Sequence, residues 1–113
     1  MAAVGDAVTE PVLPHRRAGA GETLVLVHGY LGGSQQWLAE IEHLGPHFDV
    51  IAVDLAGYGE ARHLAAPVEI AAHARAVLQT LDHLGCRRFH LLGHSMGGMV
   101  AQEIVHQAPD RVM

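Results

Sequence analysis

The chain has 113 residues, and half of them are apolar. That is one domain of common size with room for a single modest core, and the apolar share excludes a disordered chain. Twelve carboxylates stand against seven arginines with no lysine, for a formal net charge of -5, which speaks against general binding to a phosphate backbone. Without lysine there is no P-loop lysine, no Schiff base and no lysine general base.

In chain order, residues 1–22 read as a weakly structured N-terminal segment and residues 23–113 as a partial α/β domain. Gly5, Pro11, Pro14, Gly19 and Gly21 interrupt any pattern in the first segment, and one short edge strand is predicted over residues 12–17. Asp6 and Glu10 lie in the opening ten residues and no apolar run accompanies them, which is not the pattern of a secretory signal. From Thr23 the chain becomes regular. Leu24-Val25-Leu26-Val27, Val50-Ile51-Ala52-Val53 and Phe89-His90-Leu91-Leu92 are short, mostly aliphatic runs, each ended by a glycine, a histidine-glycine pair or an aspartate. Runs that are apolar on both faces predict strands inside a parallel sheet, and the helical patterns between them predict right-handed crossovers.

Three helices are predicted. The first is capped by Ser34, carries Trp37, Leu38, Ile41 and Leu44 at helical spacing, and stops at Gly45-Pro46. The second covers residues 68–84, with Ile70, Ala74, Val77, Leu78, Leu81 and Leu84 as its buried stripe and Gly85 as its stop. The third starts at Ser95 and ends near Ala108, ahead of Pro109. The fold class is α/β, a partial doubly wound parallel sheet in the order β-α-β-α-β-α.

Three junctions carry the chemistry. Gly93-His94-Ser95-Met96-Gly97 fits G-x-S-x-G between a strand and a helix. Such a turn holds a serine in a strained backbone conformation with its hydroxyl exposed, and it places that serine at the positive end of the following helix. Gly93 and Gly97 permit close backbone approach, and Gly98 extends the small-residue surface. His28-Gly29-Tyr30-Leu31-Gly32-Gly33 follows the first aliphatic strand. A serine nucleophile needs amide donors for its oxyanion; the N–H groups of Tyr30 and Met96 are the candidates. A plain β-α loop is the simpler reading of the same residues. Asp54-Leu55-Ala56-Gly57-Tyr58-Gly59 ends the second strand, and Asp54 is expected to accept hydrogen bonds from the N–H groups of its own turn rather than act as a catalytic acid.

Taken together, the three junctions resemble the α/β-hydrolase family over about residues 20–113, its N-terminal half through the nucleophile elbow. The resemblance implies Ser95 as nucleophile, the backbone amides of Tyr30 and Met96 as oxyanion hole, and supporting roles for His28, Gly29, Asp54, Gly93, His94, Gly97 and Gly98. It implies hydrolysis of an ester or related acyl bond in a small-molecule substrate. The strings are also similar to the menaquinone-pathway lyase branch of the same fold, and a non-catalytic hydrolase-like interaction module is a further alternative. Glu60-Ala61 stand where family members often carry a serine.

The family's order is nucleophile, acid, then histidine, and only Glu103, His106 and Asp110 offer such groups after Ser95. His106 lies 11 positions on, about 16 Å along a helix, whereas a general base must come within about 3 Å of the hydroxyl or act through one water. His94 is expected to pack or hydrogen-bond locally, and His90 to be a satisfied core histidine. The simplest expectation is the N-terminal part of a longer hydrolase-type protein, inactive alone because its triad is incomplete. Its third strand would then present a bare edge suited to self-association, and Pro109-Asp110-Arg111-Val112 would lead into the next strand.

No cofactor is implied. The ten histidines are scattered, and with one cysteine, Cys86, neither a zinc cluster nor an internal disulfide is expected. The longest aliphatic stretches are about four residues, far short of a membrane span. A cytoplasmic protein binding neither membrane nor nucleic acid is the expectation, least soluble near pH 6 as its histidines protonate.

Overall fold

A computed structural model describes residues 12–113; residues 1–11 of the segment expected to be weakly structured lie outside the described residues. The elements in order are β1 (His15–Ala18), β2 (Glu22–Val27), a 3-10 turn (Ser34–Trp37) running into α1 (Leu38–Leu44), β3 (Phe48–Val53), α2 (Ile70–His83), β4 (His90–Gly93) and α3 (Met96–Gln107). They form a four-stranded sheet in the order β1-β3-β2-β4. β2 pairs in parallel with both β3 and β4, while β1 runs antiparallel along β3.

The sheet is therefore mixed, not purely parallel. The edge strand anticipated near residues 12–17 exists and is firmly tied. Leu13 is buried and its amide donates to Thr80 Oγ1 of α2 at 3.0 Å. The Pro14 carbonyl accepts the Asp54 amide at 2.8 Å. Arg17 clasps Asp49 through Nε and Nη2 at 3.0 and 2.9 Å.

The alternation of side chains along each strand divides the core into two layers. Val25, Val27, Ile51 and Val53 pack against Ala74, Val77 and Leu81 of α2 and Val100 and Ile104 of α3. Leu26, Val50 and Ala52 face the other way, onto Trp37 with Ile41 and Leu44 of α1. Coverage on both faces is why residues 24–27 of β2 and 50–53 of β3 read as unbroken aliphatic runs.

β4 departs from that expectation. Phe89 is buried, but Leu92 is 45% exposed. His90 is not a core histidine: its Nε2 lies 2.9 Å from Glu22 Oε1, and its ring stands edge-on to Phe48. The α1-side face of β4 has no helix over it among the described residues, so a polar ring at the sheet margin carries no burial cost there.

Ser34 is not a helix cap. Gly33 occupies the cap position, and no side-chain cap is made. The Ser34 side chain instead turns inward and is buried against Asp54.

Past α3, the turn Pro109–Arg111 delivers Val112 into a parallel bridge with Phe89. Arg111 anchors this turn, donating to the carbonyls of Arg87 at 2.9 Å and Cys86 at 2.8 Å and to Asp82 at 2.6 Å. No helix among the described residues is long and apolar enough to cross a membrane.

Candidate active site

The strand register gathers the three junctions at one edge of the sheet. Val27, the last residue of β2, stands opposite Val53 of β3 and Gly93 of β4. The loops beginning at His28, Asp54 and His94 thus leave side by side from the C-terminal ends of parallel strands, where open α/β sheets bind ligands.

Ser95 caps α3 with φ 59° and ψ -121°, and it is exposed. A positive φ in a non-glycine residue costs free energy that surrounding contacts must hold in place. Here the backbone over-determines it: the Gly97 amide donates to the His94 carbonyl at 2.9 Å, and the Gly98 amide to the Ser95 carbonyl at 2.8 Å. A side chain at Gly93 would drive into the Gly97 carbonyl, and one at Gly97 into the carbonyls of Val27 and His28. Those two glycines let α3 start directly on the end of β2. Gly98 has no comparable restriction, since a Cβ there would meet only the Gly93 carbonyl, at 3.8 Å.

The loop after β2 abuts this turn. A Cβ on Gly29 would sit 3.0 Å from Ser95 Cβ and 3.1 Å from the His94 carbonyl. Tyr30 follows at once, so its amide belongs to the segment that touches the serine turn. Met96 is the first residue of α3, and a helix's first amides have no intrahelical acceptor. Among the described residues, no protein acceptor takes the Tyr30 amide. Leu31 has φ 63°, which makes it and Ser95 the two described non-glycine residues with positive φ, both at this edge. The Gly32 amide closes the loop onto the Gly29 carbonyl at 3.0 Å.

His28 ties two loops together. It is fully buried; its Nε2 accepts the Leu55 amide at 3.0 Å, so Nδ1 carries the proton and donates to the Gly29 carbonyl at 2.8 Å. Both ring nitrogens are committed to tying the β2 loop to the β3 loop. Burial lowers its pKa below the ordinary 6.5, against the raising effects of the Gly29 carbonyl and the Asp54 charge.

Asp54 does not bond its own turn; its carboxylate is taken up by Ser34. Oδ1 accepts the Ser34 amide and Oδ2 the Ser34 hydroxyl. The turn serves itself with backbone bonds instead, Tyr58 N–H to Leu55 O and Gly57 N–H to Ala61 O, both at 2.9 Å. His94 is exposed, and its nearest polar partner is not local. Its Nδ1 lies 3.5 Å from Nε2 of Gln36, whose Oε1 accepts the Gly29 amide at 3.3 Å. His106 lies in the last turn of α3, the end remote from Ser95.

Three residues with a place here had no role assigned from the sequence, although Tyr58 lies within the junction that starts at Asp54. Gln36 bridges Gly29 to His94, but nothing in its spacing distinguishes it from a solvated helix residue. Tyr58 touches the rings of His28, Tyr30 and His73, with centroid separations of 5.7, 6.0 and 6.3 Å. His73 is buried on α2, with Nδ1 unpartnered among the described residues. Burial and then the nearby His28 lower its pKa. Its position three residues after Ile70 and four before Val77 was the available signal, because that spacing puts it on the buried stripe.

The arrangement has relatives. The chain is 36% identical over 98 residues to a dihydrolipoyllysine-residue acetyltransferase component of an acetoin cleaving system from Cupriavidus necator, covering 87% of this chain and 26% of that protein. It is 41% identical over 95 residues to a pimeloyl-[acyl-carrier protein] methyl ester esterase of Pectobacterium carotovorum, covering 83% of this chain and 35% of the esterase. Among solved structures, a thermophilic esterase from Thermogutta terrifontis superposes with a TM-score of 0.84 at 34% identity, over 88% of this chain and 37% of its own. The chain thus spans about a quarter to a third of the length of the curated relatives it matches. Residues 22–113 match the family model for the alpha/beta hydrolase fold. With its strand order, its serine turn and this match, the chain belongs to the α/β-hydrolase fold family.

Proposed function

We propose that this chain carries the nucleophile and oxyanion half of a serine hydrolase site that cleaves an ester or related acyl bond in a small-molecule substrate. Ser95 Oγ attacks the acyl carbon. The carbonyl oxygen takes up negative charge and receives hydrogen bonds from the amides of Tyr30 and Met96, reinforced by the positive end of α3. The hydroxyl proton passes to an imidazole, and the imidazole is held by a carboxylate. His28, committed at both nitrogens, and His106, at the far end of α3, are not placed to be that imidazole. On its own the chain is nearly inactive, since an unassisted hydroxyl stays protonated and weakly nucleophilic.

The observation that carries this reading is Ser95 itself, exposed at φ 59° on the first turn of α3 with Gly29 against its Cβ. The relatives' names add support, since an acetyltransferase component and a methyl ester esterase both handle acyl groups.

A fluorophosphonate probe tests it, applied to this chain and to a form extended by its downstream coding sequence. On labelling, the Ser95 Oγ–P bond forms, the P–F bond breaks, fluoride leaves and the hydroxyl proton goes to the base. Labelling of the extended form that disappears in Ser95→Ala is the expected result. Absence of labelling in both forms would assign the fold a non-catalytic, partner-pairing role. Labelling accompanied by elimination products from candidate substrates, without net addition of water, would assign lyase chemistry.

A further inference from the structure

The β3 loop grips the β2 loop at three places. At its start, His28 joins the Leu55 amide to the Gly29 carbonyl. At its end, Asp54 holds Ser34. Between them no hydrogen bond links the two loops among the described residues, although Tyr30 and Leu31 are 66% and 77% exposed. The middle contact is aromatic: the Tyr58 ring meets Tyr30 edge-on at an interplanar angle of 69°.

Tyr58 is placed to transmit position, because its own location is fixed from three sides. Its amide donates to the Leu55 carbonyl at 2.9 Å, and its carbonyl accepts the Ala61 amide at 2.7 Å. Its ring stands edge-on to buried His28 and tilted against His73 of α2. α2 is part of the main core, so the line from His73 through Tyr58 to Tyr30 connects rigid packing to an exposed loop. Edge-to-face pairs hold rings at defined angles more firmly than area burial alone.

We infer that Tyr58 is a positioning residue, whose ring sets where the Tyr30 segment stands relative to Ser95 and so aims the Tyr30 amide at the developing oxyanion. The catalytic meaning of that placement rests on the serine-hydrolase reading above; the placement itself does not. A donor displaced by a fraction of an ångström loses much of its hold on the transition state, so the effect belongs to the bond-forming rate and not to folding.

The experiment compares Tyr58→Leu, which keeps apolar bulk but removes the ring, with Tyr58→Phe, which keeps the ring. Amide hydrogen exchange on the 113-residue chain gives the structural readout, and the rate of fluorophosphonate labelling on the extended form gives the chemical one. For Tyr58→Leu, exchange at Gly32 rises about tenfold while Val25 and Val77 keep wild-type protection, and labelling slows about five- to tenfold. Tyr58→Phe restores both. Uniform acceleration at all three amides, or none at Gly32, overturns the inference, and continued wild-type labelling at Ser95 then leaves the hydrolase reading standing. Local acceleration at Gly32 in a protein that never labels keeps the positioning role and removes the hydrolase reading.

Discussion

Asp54 spends both carboxylate oxygens on a single residue: Oδ1 accepts the Ser34 amide at 2.7 Å and Oδ2 accepts the Ser34 hydroxyl at 2.9 Å, with both residues buried. The Ser34 hydroxyl also accepts Arg16 Nε at 3.0 Å, so β1 joins the same knot. Asp54→Ala strands a buried amide and a buried hydroxyl, with an expected loss of about 2–4 kcal/mol in urea unfolding. Asp54→Asn keeps a carbonyl acceptor for one of the two and should cost about half as much.

Adjacent glycines in the serine turn should respond oppositely to the same change. Gly97→Ala forces a methyl group into the carbonyls of Val27 and His28. It should destabilise by about 2–3 kcal/mol or more, since backbone cannot yield as a side chain would. Gly98→Ala places its methyl in ordinary contact within a helix and should be neutral or stabilise by up to about 1 kcal/mol. Chemical denaturation of the two variants side by side checks the contrast.

Strain at Ser95 predicts a trade between stability and chemistry. Replacing it with glycine relieves a backbone at φ 59° and should stabilise the chain by about 1 kcal/mol while abolishing probe labelling. Ser95→Ala keeps the strain, so it should abolish labelling without the gain. A thermal melt of both variants separates the two effects.

Acid should weaken the fold through its buried imidazoles. The pKa values of His28 and His73 are lowered by burial, from an ordinary 6.5 in the unfolded chain. Above that pH both states hold neutral rings, and the histidines contribute no pH dependence. As pH falls below 6.5, the unfolded chain takes up protons that the folded chain refuses, so stability declines until the depressed folded values are reached. Protonation of His28 would also turn its Nε2 into a donor facing the Leu55 amide. His73→Leu removes one of the two rings together with an unpartnered Nδ1. It should match or exceed wild-type stability at pH 8 and lose less on going to pH 5, as followed by melts across that range.

The elements and the candidate site were legible in the sequence to different depths. β2 and β3 announced themselves because their C-terminal portions, residues 24–27 and 50–53, are covered on both faces and so are aliphatic throughout. The serine turn was legible because its glycines are steric necessities: Gly93 and Gly97 lie where backbone meets backbone. β4 was misread as buried on both faces, since a run of apolar residues does not say which helix covers which side.

Periodicity and spacing by themselves determined the strand-helix alternation and the place of Ser95 at a strand-helix junction, because each depends on residues near one another in the chain. Partnerships were decided only by the tertiary structure. Asp54 chooses Ser34 over its own turn, β1 docks antiparallel on β3, His28 bridges two loops, and Tyr58 gathers three rings. Apart from the bond of His28 to adjacent Gly29, these pairs lie 15 or more positions apart, and no local pattern of charge or hydropathy encodes which buried acceptor meets which buried donor. Packing settles that, by bringing buried donors and acceptors from distant segments within reach of one another.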